Sequence, residues 1–248
     1  MFAGRSRGPD RRPGIGTPTD EAVGILAAGN GNISTLFVSM AKRHPDGADA
    51  DYLRWHSLDH RPEQYRLPSL RASLRLVSTP ECRSARVVSR EPFDPVDHVM
   101  TYFFSDRGGL EAFTELGRAL RDAGRMMPLL PPVQRGVYEV GRKSAAPRVM
   151  VGADVLPWLP LRGVFLLVER GTAPSDGLAD IDGVAGVWSA AQEPAQWISY
   201  CFLDGDPVAT TGHLAPALEA GWRASGTEAL LAAPFHVVVP YQWDRYVP

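Results

Sequence analysis

Short segments in which hydrophobic and polar residues alternate are interleaved with longer segments of helical spacing. Leu36, Val38 and Met40 alternate with polar positions and predict a strand that ends before a His-Pro-Asp-Gly turn. Helices are predicted over 49–66 and 109–123, and further strands over 70–78, 98–104 and 137–140. This β-α-β-β-α-β order predicts a ferredoxin-like unit, an antiparallel sheet with two helices on one face.

A related pattern follows after an Ala-Ala-Pro linker. The segment 101–106 aligns with 199–204 at a constant offset of about 98 residues, which indicates an internal duplication. Strands are predicted over 164–168, 184–189 and 235–239, and a helix over 212–224. We therefore predict an α+β fold, in which two fused ferredoxin-like βαββαβ units form one unit of the dimeric α/β-barrel type.

The two predicted units are unequal in length. About 63 residues separate Leu36 from Val99, but only about 33 separate Val164 from Trp197. The second unit is therefore expected to lack most of its first helix, with the Gly- and Pro-containing segment 171–177 in its place. The predicted organisation is a flexible N-terminal arm over 1–32, rich in Gly, Pro and Arg, a site-bearing unit over 33–146 and a degenerate unit over 147–248.

Composition and charge limit the classes of molecule that the chain is expected to bind. Hydrophobic residues make up 44% of the chain, and the formal net charge is −2, which gives no overall field to attract nucleic acid or an anionic membrane. The early apolar stretch 22–28 is too short to span a bilayer. Two cysteines are too few for a disulfide framework. We expect a cytoplasmic monomer or homodimer that binds a small hydrophobic or aromatic ligand, and neither nucleic acid nor a membrane.

The helix predicted over 49–66 holds the densest group of titratable and aromatic side chains. At about 100° per residue, His56 and His60 lie on adjacent lines of this helix, so both imidazoles face one pocket or one strip of solvent. Histidine transfers protons near neutral pH, because its ordinary pKa is about 6.5. Asp59 and Glu63 are near enough in sequence to orient an imidazole, and Trp55 offers a flat apolar surface.

Trp55, the run 59–63 with the sequence Asp-His-Arg-Pro-Glu, and the arginine-bearing segment 67–75 resemble the EthD-like group of the dimeric α/β-barrel superfamily. The resemblance covers about residues 36–142. It implies a pocket between sheet and helices, and dehydration, cyclisation or cofactor-free oxygenation of phenolic or polyketide-like compounds. The candidate catalytic residues are His60, His56 and Tyr65, and the candidate substrate-binding residues are Trp55, Arg75, Tyr52 and Tyr102.

Alternatives to acid/base catalysis remain open at this point. His56 and His60 have the spacing of two metal ligands on a helix, with His98 as an available third, but no Glu follows His56 as in zinc proteases. Some branches of the superfamily resemble haem enzymes with an axial histidine, yet no propionate clamp is evident. We expect no cofactor, neither metal nor haem. Structural roles for the histidines, a non-catalytic binding protein and an assembly role are the other hypotheses.

Overall fold

The computed structural model describes residues 32–193 and 195–246, so the arm predicted over 1–32 lies almost wholly outside the described residues. The helical elements are α1 (Asp49–Trp55), a π-helical segment (His56–His60), α2 (Arg61–Gln64), α3 (Pro80–Ser84), α4 (Gly109–Asp122) and α5 (Pro207–Ser225), with 3₁₀ turns at Ala153–Trp158, Leu178–Asp180 and Trp243–Tyr246. The strands are β1 (Thr35–Ala41), β2 (Leu70–Val77), β3 (Val88–Ser89), β4 (His98–Phe104), β5 (Pro132–Ala145), β6 (Gly163–Arg170), β7 (Val184–Gln192), β8 (Gln196–Leu203) and β9 (Glu228–Val237).

Eight of these strands form an antiparallel barrel. The strand order is β2-β4-β1-β5-β7-β8-β6-β9, and β2 also pairs with β9. In that closing seam, Leu76 pairs with Val237 and Val77 pairs with His236. The short strand β3 also pairs with β9, next to this seam. The α+β prediction and the barrel are therefore confirmed, and the barrel is closed by a seam of two residue pairs.

The predicted elements agree with the observed ones in type and approximate position. Each half contributes four strands in the same spatial order, namely second, third, first and fourth along the chain, as β2-β4-β1-β5 and β7-β8-β6-β9. In the second half a short 3₁₀ turn (Leu178–Asp180) lies where the first half has the helical segment 49–64. The division into two ferredoxin-like units stays a prediction. The sequence pattern did not predict α3, β3 and the 3₁₀ turns.

The constant offset of 98 residues proposed for the duplication is wrong in register. Tyr102 packs on the outer face of the barrel, whereas Tyr200, which lies 98 residues later, packs inside it. Thr101, the neighbour of Tyr102, points inward and its Oγ1 lies 2.6 Å from the Tyr200 hydroxyl oxygen. Because side chains alternate along a strand, an offset wrong by one residue exchanges the two faces. Face for face, Tyr102 corresponds to Cys201.

Hydrophobic side chains fill the barrel interior. Leu36, Val38 and Met40, the predicted alternating positions of β1, are buried there. They pack with large side chains from the second half, including Trp188 and Phe202. The interior of the barrel around these residues is therefore a packed core.

Helices cover the outer surface of the barrel in both halves. In the second half, α5 packs Leu214 and Leu218 against Phe165 and Cys201. In the first half, α4 and the segment 49–64 cover β1, β2 and β4, with Phe113 packed on this sheet. Within the part of the chain that the structure describes, no helix combines the length and the apolar character needed to cross a bilayer.

Candidate functional site

The helical wall over 49–64 changes its winding at the two histidines. The N–H of Arg61 bonds to the carbonyl of His56, five residues back, so His56–His60 forms a π-helical segment. Pro62 follows directly, and a proline has no N–H to bond to the carbonyl of residue 58, while its ring would press on that carbonyl in an α-helix. The wider turn accommodates Pro62, and such π-segments are frequent at functional sites.

A cavity of about 430 Å³ lies between this wall, α4 and the outer face of the first-half sheet. Its lining changes with depth from polar and buried, through apolar and half-buried, to exposed and basic. The buried part consists of Tyr52, His56, His60, Gln64, Arg75, Met100 and Tyr102, the middle includes Phe37, Leu110, Phe113 and Val137, and the rim includes Arg118, Arg121, Leu129 and Arg135.

His56 lies at the buried end of the cavity and is bonded to Tyr102. Its Nε2 lies 3.1 Å from the Tyr102 hydroxyl oxygen, and its Nδ1 is buried without a partner. Burial, followed by the charge of Arg75, lowers the pKa of His56 well below its ordinary value. Burial also raises the pKa of the Tyr102 phenol. Both groups are therefore neutral at pH 7, and a single hydrogen bond joins the Tyr102 hydroxyl to His56 Nε2.

His60 is held from two sides. The side-chain nitrogen of Gln64 donates to His60 Nε2 at 2.8 Å, which places the imidazole proton on Nδ1. The Trp55 ring stacks on His60 with 4.9 Å between ring centroids. Burial lowers the pKa of His60, while the nearby carboxylate of Asp59 raises it to a smaller extent. The centroids of the His56 and His60 rings are 5.6 Å apart, so two neutral imidazoles line one cavity.

Arg75 is a buried cation without a carboxylate. Only 4% of it is exposed, its Nε has no partner, and its guanidinium carbon lies 5.1 Å from the centre of the Tyr52 ring. Its Nη2 donates to His98 Nδ1 at 3.4 Å, and His98 Nε2 donates to Asp49 Oδ1 at 2.6 Å. Among the described residues, no acidic oxygen lies within 4 Å of the Arg75 guanidinium.

The chain of contacts from Arg75 to Asp49 fixes the charges around it. Burial lowers the pKa of His98 to about 4, although the hydrogen bond to Asp49 opposes this, so His98 is neutral at pH 7. Burial alone would raise the pKa of Asp49, but hydrogen bonds from His98 and the His44 N–H hold it below its ordinary value. Burial also lowers the pKa of Arg75, while the phenol groups of Tyr52 and Tyr102 raise it. The guanidinium keeps its charge and is desolvated, which favours binding of an anion.

The structure brings five of the seven predicted site residues to the cavity. Tyr65 is not among the lining residues, since it is 44% exposed and its hydroxyl is 2.7 Å from Ser73 Oγ. Trp55 is not a lining residue but packs behind Tyr52, His56 and His60, and its indole nitrogen donates to the carbonyl of Arg125. The five lining residues are His56, His60, Tyr52, Arg75 and Tyr102.

Asp59 and Glu63 were expected to orient an imidazole, but in the structure their carboxylates bond to an arginine instead. Both carboxylates accept hydrogen bonds from the Arg125 guanidinium, at 2.8 Å and 3.0 Å, and neither bonds to a histidine. These ion pairs join the helical wall to the segment 125–131, whose residues Met126 and Leu129 line the cavity.

Sequence reasoning missed Gln64 and the basic rim. Gln64 lies four residues after His60, and this spacing places it one helical turn away and within hydrogen-bonding reach. Arg118 and Arg121 lie on the polar side of an amphipathic helix, where arginines are ordinarily solvated. Only their position across from β5 and its Arg135 shows that they surround a cavity.

The donor set does not fit a metal or a haem. Within residues 32–193 and 195–246, no group of three histidine, cysteine or acidic side chains is placed to hold a metal ion. The Nε2 atoms of His56 and His60 are hydrogen-bonded, and their Nδ1 atoms are closed off from the cavity. The third predicted ligand, His98, is bonded at both ring nitrogens. In this arrangement, no ring nitrogen of His56, His60 or His98 is free to face a haem iron.

Comparison with known proteins identifies the fold. No family model matches the chain, and no curated protein matches it either. Among solved structures, the chain is similar to one named "Putative Chlorite dismutase" (TM-score 0.54, 11% identity, 88% of this chain and 100% of the other). It is also similar to "Putative monooxygenase" from Fusobacterium nucleatum (0.49, 9%, 84% and 94%) and "Dye-decolorizing protein" from V. cholerae (0.45, 11%, 86% and 96%). At 11% identity, the likeness to the first of these structures shows a similar fold alone.

Proposed function

We propose that this chain is a small-molecule enzyme that removes a proton from an aromatic, phenolic or polyketide-like compound, as an EthD-like dehydratase, cyclase or cofactor-independent oxygenase would. The observation that carries the proposal is Arg75, a buried guanidinium without a carboxylate, in one cavity with the neutral imidazoles of His56 and His60. A neutral base accepts a proton, and a desolvated cation stabilises the oxyanion that forms.

The roles follow from the contacts. The keto or phenol oxygen of the substrate would lie at Arg75, which the His98–Asp49 pair holds in position. His60 would accept the proton at Nε2 once the substrate displaces the amide of Gln64, and would return it to the product or to solvent. His56, bonded to Tyr102, would contact the substrate as a second neutral imidazole. The half-buried phenylalanines of the middle region would contact the rings of the substrate.

Solvent deuterium exchange tests this proposal without knowledge of the natural substrate. The probe is 2-tetralone, an aromatic ketone with acidic C–H bonds, and NMR measures the rate at which its α-protons exchange in D₂O. We expect faster exchange than in buffer, and a loss of about tenfold to a hundredfold of the excess rate in His60→Ala and Arg75→Gln.

Two control variants make the result specific. His213→Ala changes an exposed histidine of α5, and Tyr65→Phe changes the predicted residue that lies outside the cavity, so both should exchange at the wild-type rate. Full exchange activity in a folded His60→Ala protein would refute the assignment of His60 as the base.

The second candidate is a non-catalytic binding protein. It is favoured by one specific observation, which is that the Nε2 atoms of both His56 and His60 are already hydrogen-bonded within the protein. Stabilisation of the protein by 2-tetralone or 2-naphthol in thermal unfolding, with deuterium exchange no faster than in buffer, would support this candidate and contradict the enzyme.

A further inference from the structure

The rim of the cavity has a charge that the proposed acid/base chemistry does not use. Arg118 and Arg121 lie one turn apart on α4, and Arg135 lies on β5. All three side chains are exposed, and none has an acidic oxygen within 4 Å among the described residues. Arg135 donates only to the hydroxyl of Ser39, at 3.3 Å. The lining contains four arginines and no aspartate or glutamate.

From this arrangement we infer that the substrate bears a second anionic group, a carboxylate, at the end of its aromatic frame that is remote from the reacting oxygen. The inference rests on the proposed function and specifies its substrate class: an aromatic acid in which Arg75 binds the phenolate or enolate oxygen and the rim arginines bind the carboxylate.

The two cationic regions of the cavity lie at different depths. Arg75 is buried, whereas the three rim arginines are exposed, and half-buried apolar side chains such as Phe37, Phe113 and Val137 lie in the lining as well. The cavity of about 430 Å³ falls within the usual range of small-molecule sites, roughly 300–1,000 Å³. A rigid ring system with an acidic group at each end matches this order of polar, apolar and basic surfaces.

Electrostatics favours a carboxylate over water at the rim. Arg118 and Arg121 repel each other across one helical turn, and a bound carboxylate offsets that repulsion. Guanidinium groups bind carboxylates through paired hydrogen bonds, which are stronger than those between neutral groups. Arginines that lie away from the cavity would not distinguish between a neutral and a carboxylated ligand of the same shape.

Three naphthalene probes separate the two ends of the cavity. They are 6-hydroxy-2-naphthoic acid, with a phenol and a carboxylate at opposite ends, 2-naphthol and 2-naphthoic acid. Titration calorimetry should give wild-type protein a Kd for 6-hydroxy-2-naphthoic acid about tenfold below that for 2-naphthol. In Arg118→Gln/Arg121→Gln this advantage should disappear while the Kd for 2-naphthol changes less than about twofold.

A matched variant controls for net charge. Arg162→Gln/Arg223→Gln also removes two exposed arginines, in the second half and outside the cavity lining, and should retain the tenfold advantage. Circular dichroism and thermal unfolding confirm that each variant is folded.

The outcomes distinguish this inference from the proposed function. Binding of 2-naphthol and exchange of 2-tetralone without any gain from the carboxylate would overturn the rim assignment alone. A gain that survives in Arg118→Gln/Arg121→Gln would also overturn it. Failure of 2-naphthol binding together with failure of 2-tetralone exchange would contradict the proposed function itself.

Discussion

The two halves of the barrel have the same strand order but differ in how completely their buried polar side chains are hydrogen-bonded. In the second half, Glu169 is fully buried beneath α5 and accepts hydrogen bonds from the N–H and hydroxyl of Ser175 and from the Trp222 indole nitrogen. In the first half, Arg75 is buried with one nitrogen unpartnered.

This difference extends beyond one pair of residues. Within the described part of the chain, every buried side-chain nitrogen or oxygen without a partner belongs to residues 43–134, and four of these atoms belong to residues that line the cavity. An unpaired buried polar group costs stability, so a protein retains it where function requires it. The comparison teaches that the second half satisfies its buried polar groups, whereas the first half leaves several unpaired, as the proposed binding role would require.

The largest expected effect is a contrast in stability between the two buried charged residues. Glu169→Met should lower the free energy of unfolding by about 3 kcal/mol, because it leaves three donors without an acceptor. Arg75→Met should change it by less than about 1 kcal/mol, since it removes a desolvated charge that has no carboxylate partner. Urea denaturation measures both, and equal losses would contradict this difference between the two halves.

The next effect is a dependence of stability on pH to which His98 of the first half contributes. His98 is neutral in the folded chain down to about pH 4, whereas the unfolded chain takes up that proton near pH 6.5. The unfolded state therefore binds more protons in this window, and stability falls as the pH drops from 6.5 towards 4, by about 1.4 kcal/mol per pH unit. His56 and His60, whose pKa values are also lowered, change stability in the same direction.

His98→Gln should reduce this slope in urea denaturation at pH 7, 6 and 5. His213→Gln, which changes an exposed histidine of α5, should leave the slope unchanged. If the wild-type and His98→Gln proteins lose stability equally between pH 6.5 and 5, His98 is not the group that titrates.

The smallest effect concerns the segment that joins the wall of the cavity to its rim. Arg125→Gln removes the pairs with Asp59 and Glu63, and should raise the Kd for 2-naphthol about threefold, because the segment 125–131 loses its attachment. Arg66→Gln removes another exposed pair with Glu63 but touches no part of that segment, so the Kd should stay constant. Titration calorimetry on the two variants decides the point.

The fold could be predicted from the sequence because period-two and helical patterns mark its elements independently. The register of the second half could not be read off, since the runs 101–106 and 199–204 are similar in composition on both faces of their strands. Only the pairing of Thr101 with Tyr200 inside the barrel reveals which face each occupies. A pattern that is hydrophobic on both faces contains no signal for register.

The site residues that are close together in sequence could be predicted. Those that come together only in the folded chain could not. The segment 52–65 indicated His56 and His60, and Pro62 was the available signal for the irregular winding. Tyr65 was included because of its proximity in sequence, although the chain has turned away from the cavity by that point. The rim arginines converge from α4 and β5, a juxtaposition set by the tertiary fold.

The closing seam of the barrel has a consequence for the order of events during synthesis. The seam joins Leu76 and Val77 of β2 to β9, so about 160 residues of intervening chain must emerge from the ribosome before it can form. Until then, the nascent first half presents the free backbone edge of β2 to other chains. We expect chains truncated before residue 228 to associate through this edge, so the last strand protects the whole molecule against aggregation.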